Sequence, residues 1–249
     1  MLFNNPLGSA KADRLVELLP LAAGGRVLDA GCGGGEFLLR VVDKHAVEGV
    51  GVDRDPRCIQ TARERAESRG LANRCAFHEA EMGAFTAPPG SFEAAICLGS
   101  THAFGAGEAA YPNTLARMRE LVRPGGHLLV GEGFWRREPA AEYLALLGDP
   151  VGVYRDHAEN IAFAKERGWQ AVYAAVSSDD EWDDFEWSHQ MRLQREAAAD
   201  PANPANPAWP ARLARARAWR EGYLRWGRST LGFGFYLFRK AEDGVGPEA

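Results

Sequence analysis

The chain has 249 residues, 46% hydrophobic and 25% charged, which is long and apolar enough for one full core and excludes disorder as a description of the whole. Its 29 Lys and Arg against 34 Asp and Glu give a net charge of −5, arguing against a general polyphosphate-binding surface or an anionic membrane partner. No run of about eighteen apolar residues occurs, and residues 1–20 lack the basic-then-apolar pattern of a secretory leader, so a soluble, cytoplasmic protein is expected.

In chain order, Val27-Leu28-Asp29 reads as a buried strand ended by glycines, Glu36 to Lys44 as a helix, and Gly49 to Asp53 as a second strand. Pro56 opens a helix that Gly70 stops, and Arg74 to His78 and Phe92 to Leu98 are strands three and four. Pro112 to Val122 repeats apolar residues at helical spacing. Arg123-Pro124-Gly125-Gly126 then reads as a turn before a fifth strand, His127 to Val130. A helix around Asn160 to Arg167 leads to a sixth strand, Trp169 to Val176, and Ser229 to Arg239 alternates as a last one. Such alternation of strand and helix is the signature of an α/β fold with a mainly parallel sheet.

Between the last two strands lie about fifty residues where a simple crossover needs a dozen or more. They hold five of the seven tryptophans: Trp182, Trp187, Trp209, Trp219 and Trp226. A repetitive segment, 201–207, separates two helices there, and in the second Trp209, Leu213, Ala216, Trp219, Tyr223 and Trp226 fall on one face. That stripe either packs on the core or lines a pocket with its edge. The expected division is a core over 1–178 and 229–240, a helical aromatic-rich cap over 179–228 and a tail over 241–249.

The four cysteines, Cys32, Cys58, Cys75 and Cys97, form no Cys-x-x-Cys or Cys-His cluster that could hold zinc, so they are expected as reduced, mostly buried thiols. The histidines make no metal-spaced pair, and no metal is expected.

The most informative segment runs from Val27 to Phe37, where a buried strand enters glycines and then a helix, setting bare backbone and a helix N-terminus against a ligand. A dinucleotide fingerprint, Gly-x-Gly-x-x-Gly counted from Gly31, would need its third glycine where Glu36 stands, and a carboxylate there would face the pyrophosphate. The segment instead resembles motif I of the class I S-adenosylmethionine-dependent methyltransferases, with Asp29, Gly31, Gly33 and Gly35. Asp53, ending the second strand, falls where that family keeps an acid for the ribose hydroxyls; a single carboxylate can accept both hydrogen bonds. Glu81 and Met82 fall where the family has an acid near the adenine amino group and a backbone amide at the ring. Cys97 falls at the strand-four end, where backbone groups meet the methionine moiety. Leu121 to Leu128 resembles the family's Leu-x-x-Pro-Gly-Gly turn.

The resemblance implies a Rossmann-like seven-stranded, mostly parallel sheet with an antiparallel last strand, the helical cap being inserted between strands six and seven. It also implies S-adenosylmethionine as cofactor. Strand four lacks both the Asn/Asp-Pro-Pro-aromatic motif of nucleic-acid amino methylases and the Pro-Cys of cytosine C5 enzymes. The whole is most similar to small-molecule methyltransferases related to quinone biosynthesis, with in-line transfer to an O, N, S or C nucleophile and no nucleic-acid partner. His102, a few residues past strand four, is the candidate base, since an unperturbed imidazole titrates near neutrality; it could equally orient the substrate. Glu132 and Trp135, after strand five, are candidate acceptor contacts, or else a cap for the next segment and packing beneath the helical cap. The aromatic cap favours an apolar or aromatic acceptor. Two other readings stay open: a cofactor-binding scaffold whose aromatic helices hold a protein partner, and an RNA methyltransferase using the arginines of the insertion.

Overall fold

A computed structural model describes residues 2–200 and 208–242. The repetitive segment 201–207 and most of the expected tail lie outside the described residues. The sheet is built from β1 (Arg26–Ala30), β2 (Glu48–Asp53), β3 (Cys75–Glu79), β4 (Phe92–Leu98), β5 (Val122–Trp135), β6 (Trp169–Val176) and β7 (Leu231–Lys240) in the order β3-β2-β1-β4-β5-β7-β6. Strands β1 to β5 pair in parallel, whereas β7 runs antiparallel between β5 and β6. The chain reverses beside β1, so β1 and β4 part at their carboxyl ends, the crevice where open α/β sheets bind ligands.

Helices α1 (Ser9–Leu18), α2 (Glu36–His45) and α3 (Pro56–Ser68) cover one face, and α4 (Ala110–Leu121) and α6 (His157–Lys165) the other, with short α5 (Ala141–Leu147) between. Buried Ala12, Leu15 and Val16 give α1 its apolar stripe. The His45 ring N–H donates to Val16 O at 2.8 Å, and Arg40 reaches Asp13 at 2.7 Å, fixing α1 on α2. Pro56 opens α3 at its first turn with Asp55 as N-cap.

Strand β5 is longer than the alternation alone indicates. Arg123-Pro124-Gly125-Gly126 is not a turn before it but a bulge within it: Phe92 pairs with Val122 and Ala94 with His127, so three extra residues loop out while pairing continues. Gly125 takes φ +70° there, and a Cβ on Gly126 would press on Glu93 O at 2.6 Å. At its other end β5 continues through Glu132 to Trp135 because β7 pairs with it from His127 onward, Glu132 opposite Gly234 and Trp135 opposite Leu231. Glu132 and Trp135 therefore belong to the strand, not to a loop after it.

Between β6 and β7 rise α7 (Asp179–Ala199) and α8 (Ala208–Gly222), the latter ending in a wide π turn over Tyr223–Gly227. Ser178 and Glu181 form a capping box at the start of α7. Trp182 and Tyr223 are buried in the core against each other, and the Asp183 carboxylate accepts from Tyr223 Oη at 2.6 Å and from the Arg228 guanidinium at 3.0 Å. Farther out, Trp187 is 40% and Trp219 38% exposed, with Trp209 buried and Trp226 half-buried. The stripe on α8 is thus part core and part rim.

Candidate functional site

The loop after β1 turns because three of its residues are glycines with positive φ: Gly31 at +73°, Gly33 at +51° and Gly35 at +73°. A Cβ on Gly31 would collide with the Ser100 side chain, and one on Gly35 would meet Ala62 at 2.9 Å, whereas Gly33 faces open space. Gly35 is the N-cap of α2, so the helix starts at the loop's far side. Asp53, at the end of β2, binds this loop directly. Its Oδ2 accepts from the Gly33 N–H at 2.9 Å and its Oδ1 from the Asp55 N–H at 2.9 Å.

Above the loop lies a cleft of about 730 Å³. Asp29, Gly31, Gly33 and Asp53 line it, as do Leu98 to Ser100 and His102 at the end of β4. Asp29 is buried; desolvation, and then the charge of Asp53, push its carboxyl up to about 7. The cleft also has walls that motif reading misses. Leu2 to Asn5 form one side, and His189 and Arg192 of α7 look in from the cap. These segments are tied to each other: Ser177 Oγ donates to Pro6 O at 2.5 Å, the Gly8 N–H donates to Glu181 at 2.9 Å, and Lys11 pairs with the same carboxylate. Phe3 meets Phe37 with ring centroids 6.5 Å apart, beneath the Arg40 guanidinium. Asn5 donates through Nδ2 to Leu98 O at 3.0 Å, and its buried Oδ1 has no partner, which leaves an acceptor beside the strand-four end.

Other candidates stand elsewhere. Gly35 shapes the loop without lining the cleft. The Glu81 side chain is 62% exposed and pairs with Arg54 at 3.7 Å, while Met82 and Cys97 are buried in the core of the opposite face. Burial pushes the Cys97 thiol far up, and no side chain of these three lines the cleft. Trp135 is buried too: its indole N–H donates to Val151 O at 2.7 Å, and its ring packs edge-on against Tyr154 and Tyr143. It clamps the segment after β5 rather than facing the cleft. His102 is exposed on the cleft wall, and no protein group among the described residues hydrogen-bonds its ring. Glu36, which displaced the dinucleotide reading, is buried at the start of α2. Burial opposes its charge, but Arg40 at 2.8 Å and Arg69 outweigh it and hold the carboxyl below its ordinary range. All four cysteines are free, Cys32 and Cys97 buried and Cys58 and Cys75 half-buried. Among the described residues no cluster of His, Cys, Asp or Glu could hold a metal ion, and no helix is long and apolar enough to cross a membrane.

The site fits a nucleoside with a charged tail. The glycine loop brings bare backbone and the N-terminal N–H groups of α2 to the cleft, Asp53 offers a carboxylate, and Gly31 lets β1 approach Ser100 closely. Residues 27–126 match the family described as "Methyltransferase domain". The chain is similar to a demethylmenaquinone methyltransferase of Thermus thermophilus, 36% identical over 179 residues covering 66% of this chain and 78% of that protein. It is also similar to a 27-O-demethylrifamycin SV methyltransferase of Amycolatopsis mediterranei, 30% identical over 76% of this chain and 59% of that protein. Among solved structures, an S-adenosylmethionine-dependent methyltransferase from Geobacter sulfurreducens in complex with S-adenosyl-L-homocysteine superposes with a TM-score of 0.85 at 26% identity. The match covers 96% of this chain and 93% of that one.

Proposed function

We propose that this chain, which belongs to the class I S-adenosylmethionine-dependent methyltransferases, methylates a small, largely apolar or aromatic acceptor brought in beneath the cap. The observation that carries this reading is the cleft that runs from Asp53 past the glycine loop to Ser100 and His102 and is bordered by His189 and Arg192 of α7. When bound, the cofactor supplies an activated sulfonium methyl group, so much of the remaining work is positioning.

In this reading Asp53 holds the ribose, exchanging its present backbone partners or sharing them, and the glycine loop takes the methionine end beside buried Asp29. Glu81 and the backbone around Met82 and Cys97 border the adenine and the methionine moiety. His102 meets the acceptor at the cleft wall and orients it; Glu132 lies behind that wall, and Trp135 shapes the acceptor side by fixing the segment that carries Tyr154. Residues 179–228 act as the cap and the rest of the described chain as the cofactor-binding core. Relatives named for demethylmenaquinone and for 27-O-demethylrifamycin SV support a small-molecule acceptor. Several cap arginines are already engaged, Arg228 with Asp183 and Arg212 with Glu196, which disfavours an RNA partner. Four free thiols suit a cytoplasmic setting.

The test combines calorimetry with S-adenosylhomocysteine and transfer of a labelled methyl group from S-adenosylmethionine to a panel of naphthols, phenols and aryl amines. Binding with turnover of at least one class is expected. Binding without turnover of any would favour the scaffold reading, and no binding would remove both.

A further inference from the structure

Glu132 is a buried carboxylate whose surroundings leave one oxygen unanswered. It is 8% exposed, near the carboxyl end of β5, next to Gly131, which pairs with cleft-lining Leu98. Its Oε1 accepts from the Gly133 N–H at 2.9 Å, and its Oε2 has no partner. Buried polar atoms in native proteins are nearly always paired, so an orphan of this kind calls for a donor, from solvent or from a bound ligand.

Two of the neighbouring hydroxyls are already committed elsewhere. Around the carboxyl stand Thr101, Cys97 of β4, Tyr111 of α4, Tyr154 and Arg155 ahead of α6, and Tyr236 of β7. Tyr111 Oη already donates to Asn160 O at 3.1 Å, and Tyr236 Oη already meets Asn160 Nδ2 at 3.3 Å and His157 Nδ1 at 3.0 Å. Thr101 is the link to the cleft: its side chain hydrogen-bonds the carboxyl, and its chain neighbours Ser100 and His102 line the cleft wall. The carboxylate thus waits one residue behind the place where the cofactor cleft ends.

We propose that Glu132 is the proton acceptor of the transfer step, its Oε2 receiving the hydrogen bond of the acceptor's reacting O–H or N–H group. The acceptor's lone pair forms the new bond to the methyl carbon, and the C–S bond breaks with its electron pair left on sulfur. The released proton goes to Oε2 and from there to solvent. The orphan oxygen also selects: an acceptor must present a hydrogen-bond donor, and an anionic carboxylate is repelled. Burial raises the Glu132 carboxyl to about 7, against the opposing effects of Thr101, the Gly133 N–H and Arg155, which suits a group that exchanges a proton near neutrality. On this assignment His102 contacts the acceptor at the cleft wall and Glu132 takes the proton.

The proposal rests on the methyl-transfer reading, and the experiments separate the two. In a crystal structure with S-adenosylhomocysteine, Oε2 should face space continuous with the cleft and hydrogen-bond a water or ligand near the sulfur. If S-adenosylhomocysteine binds but Oε2 is bonded to a protein donor, or Thr101 seals it off, Glu132 is a structural acid and the proposal falls alone. If S-adenosylhomocysteine does not bind, the parent reading falls with it. In solution, methylation of the best acceptor of the panel should rise with pH through about 7, a limb retained in His102→Ala. Glu132→Gln should lose about 100-fold in kcat with that limb abolished and S-adenosylhomocysteine affinity unchanged. A Glu132→Gln enzyme that keeps the limb overturns the assignment.

Discussion

The two halves of the cleft are built in different ways. The cofactor half is assembled from neighbours in sequence: β1, its glycine loop, the start of α2 and the end of β2, where Asp53 ties to Gly33 at 2.9 Å. The acceptor half draws on segments far apart: Leu2 to Asn5, the end of β4 with the residues after it, and α7. The first half presents backbone and one carboxylate, so what it can hold is set by the path of the chain. The second presents side chains on elements that meet only in the folded protein, so its chemistry is open to change without disturbing the first.

If that division is right, substitutions in the two halves should fail differently, and the largest effect should come where they share a foundation. Trp182 sits on the cap helix α7 yet is buried in the core, stacked on Tyr223. Trp182→Ala should cost about 3–5 kcal/mol of stability in urea unfolding. A cost near zero would mean that the cap is an appendage and not rooted in the core. Asp53→Ala comes next. It removes a charge-assisted partner for the ribose and loosens Gly33, so S-adenosylhomocysteine affinity by calorimetry should fall on the order of 100-fold. Unchanged affinity would break the assignment of the cofactor half.

Asp29 sharpens the comparison through pH. Its folded carboxyl titrates at about 7 against an ordinary value of 3.8. Between those values the folded state keeps a proton that the unfolded chain releases, so stability falls as pH rises through that window and is lowest above 7. Glu132, raised to about 7, adds a slope of the same sign. Asp29→Asn should therefore raise the Tm of the ligand-free protein at pH 8 by at least about 2–4 °C and flatten its pH dependence. A lower Tm at pH 8 would show that the buried charge is compensated. The same substitution should weaken S-adenosylhomocysteine binding, separating stability from function at one residue.

The sequence reveals these regions to different degrees for the same reason. Gly31, Gly33, Gly35 and Asp53 are legible because a loop that needs positive φ and an acid after a strand leave short local patterns. The strands are legible from their apolar runs, β4 and β6 to the residue. The wall from Leu2 to Asn5 leaves no such pattern, and the docking of α1 is hidden too, since both depend on Phe37, Arg40 and Glu181, partners distant in sequence. The register of β5 is hidden likewise: Pro-Gly-Gly looks like a turn unless β4 is known to pair on both sides of it, with Val122 and with His127. His189 and Arg192 are the clearest misses. On α7 they look like two more polar positions, and only docking of the helix over the cleft gives them a site to face.

The smallest expected effect tests the acceptor half where it is least tied to the rest. Trp187, on the outer part of α7, is 40% exposed, with the Arg220 guanidinium 5.4 Å above its ring. Surface substitutions of this kind shift stability by about 0.5 kcal/mol or less, so Trp187→Ala should leave unfolding and S-adenosylhomocysteine affinity unchanged. If the exposed cap aromatics receive an apolar acceptor, the same variant should raise KM several-fold while kcat holds, the pattern of lost binding made equally before and during transfer. A fall in kcat at constant KM would instead put Trp187 close to the reacting atoms. No kinetic change would assign the exposed ring to the outer surface and confine acceptor recognition to the walls around His102 and Glu132.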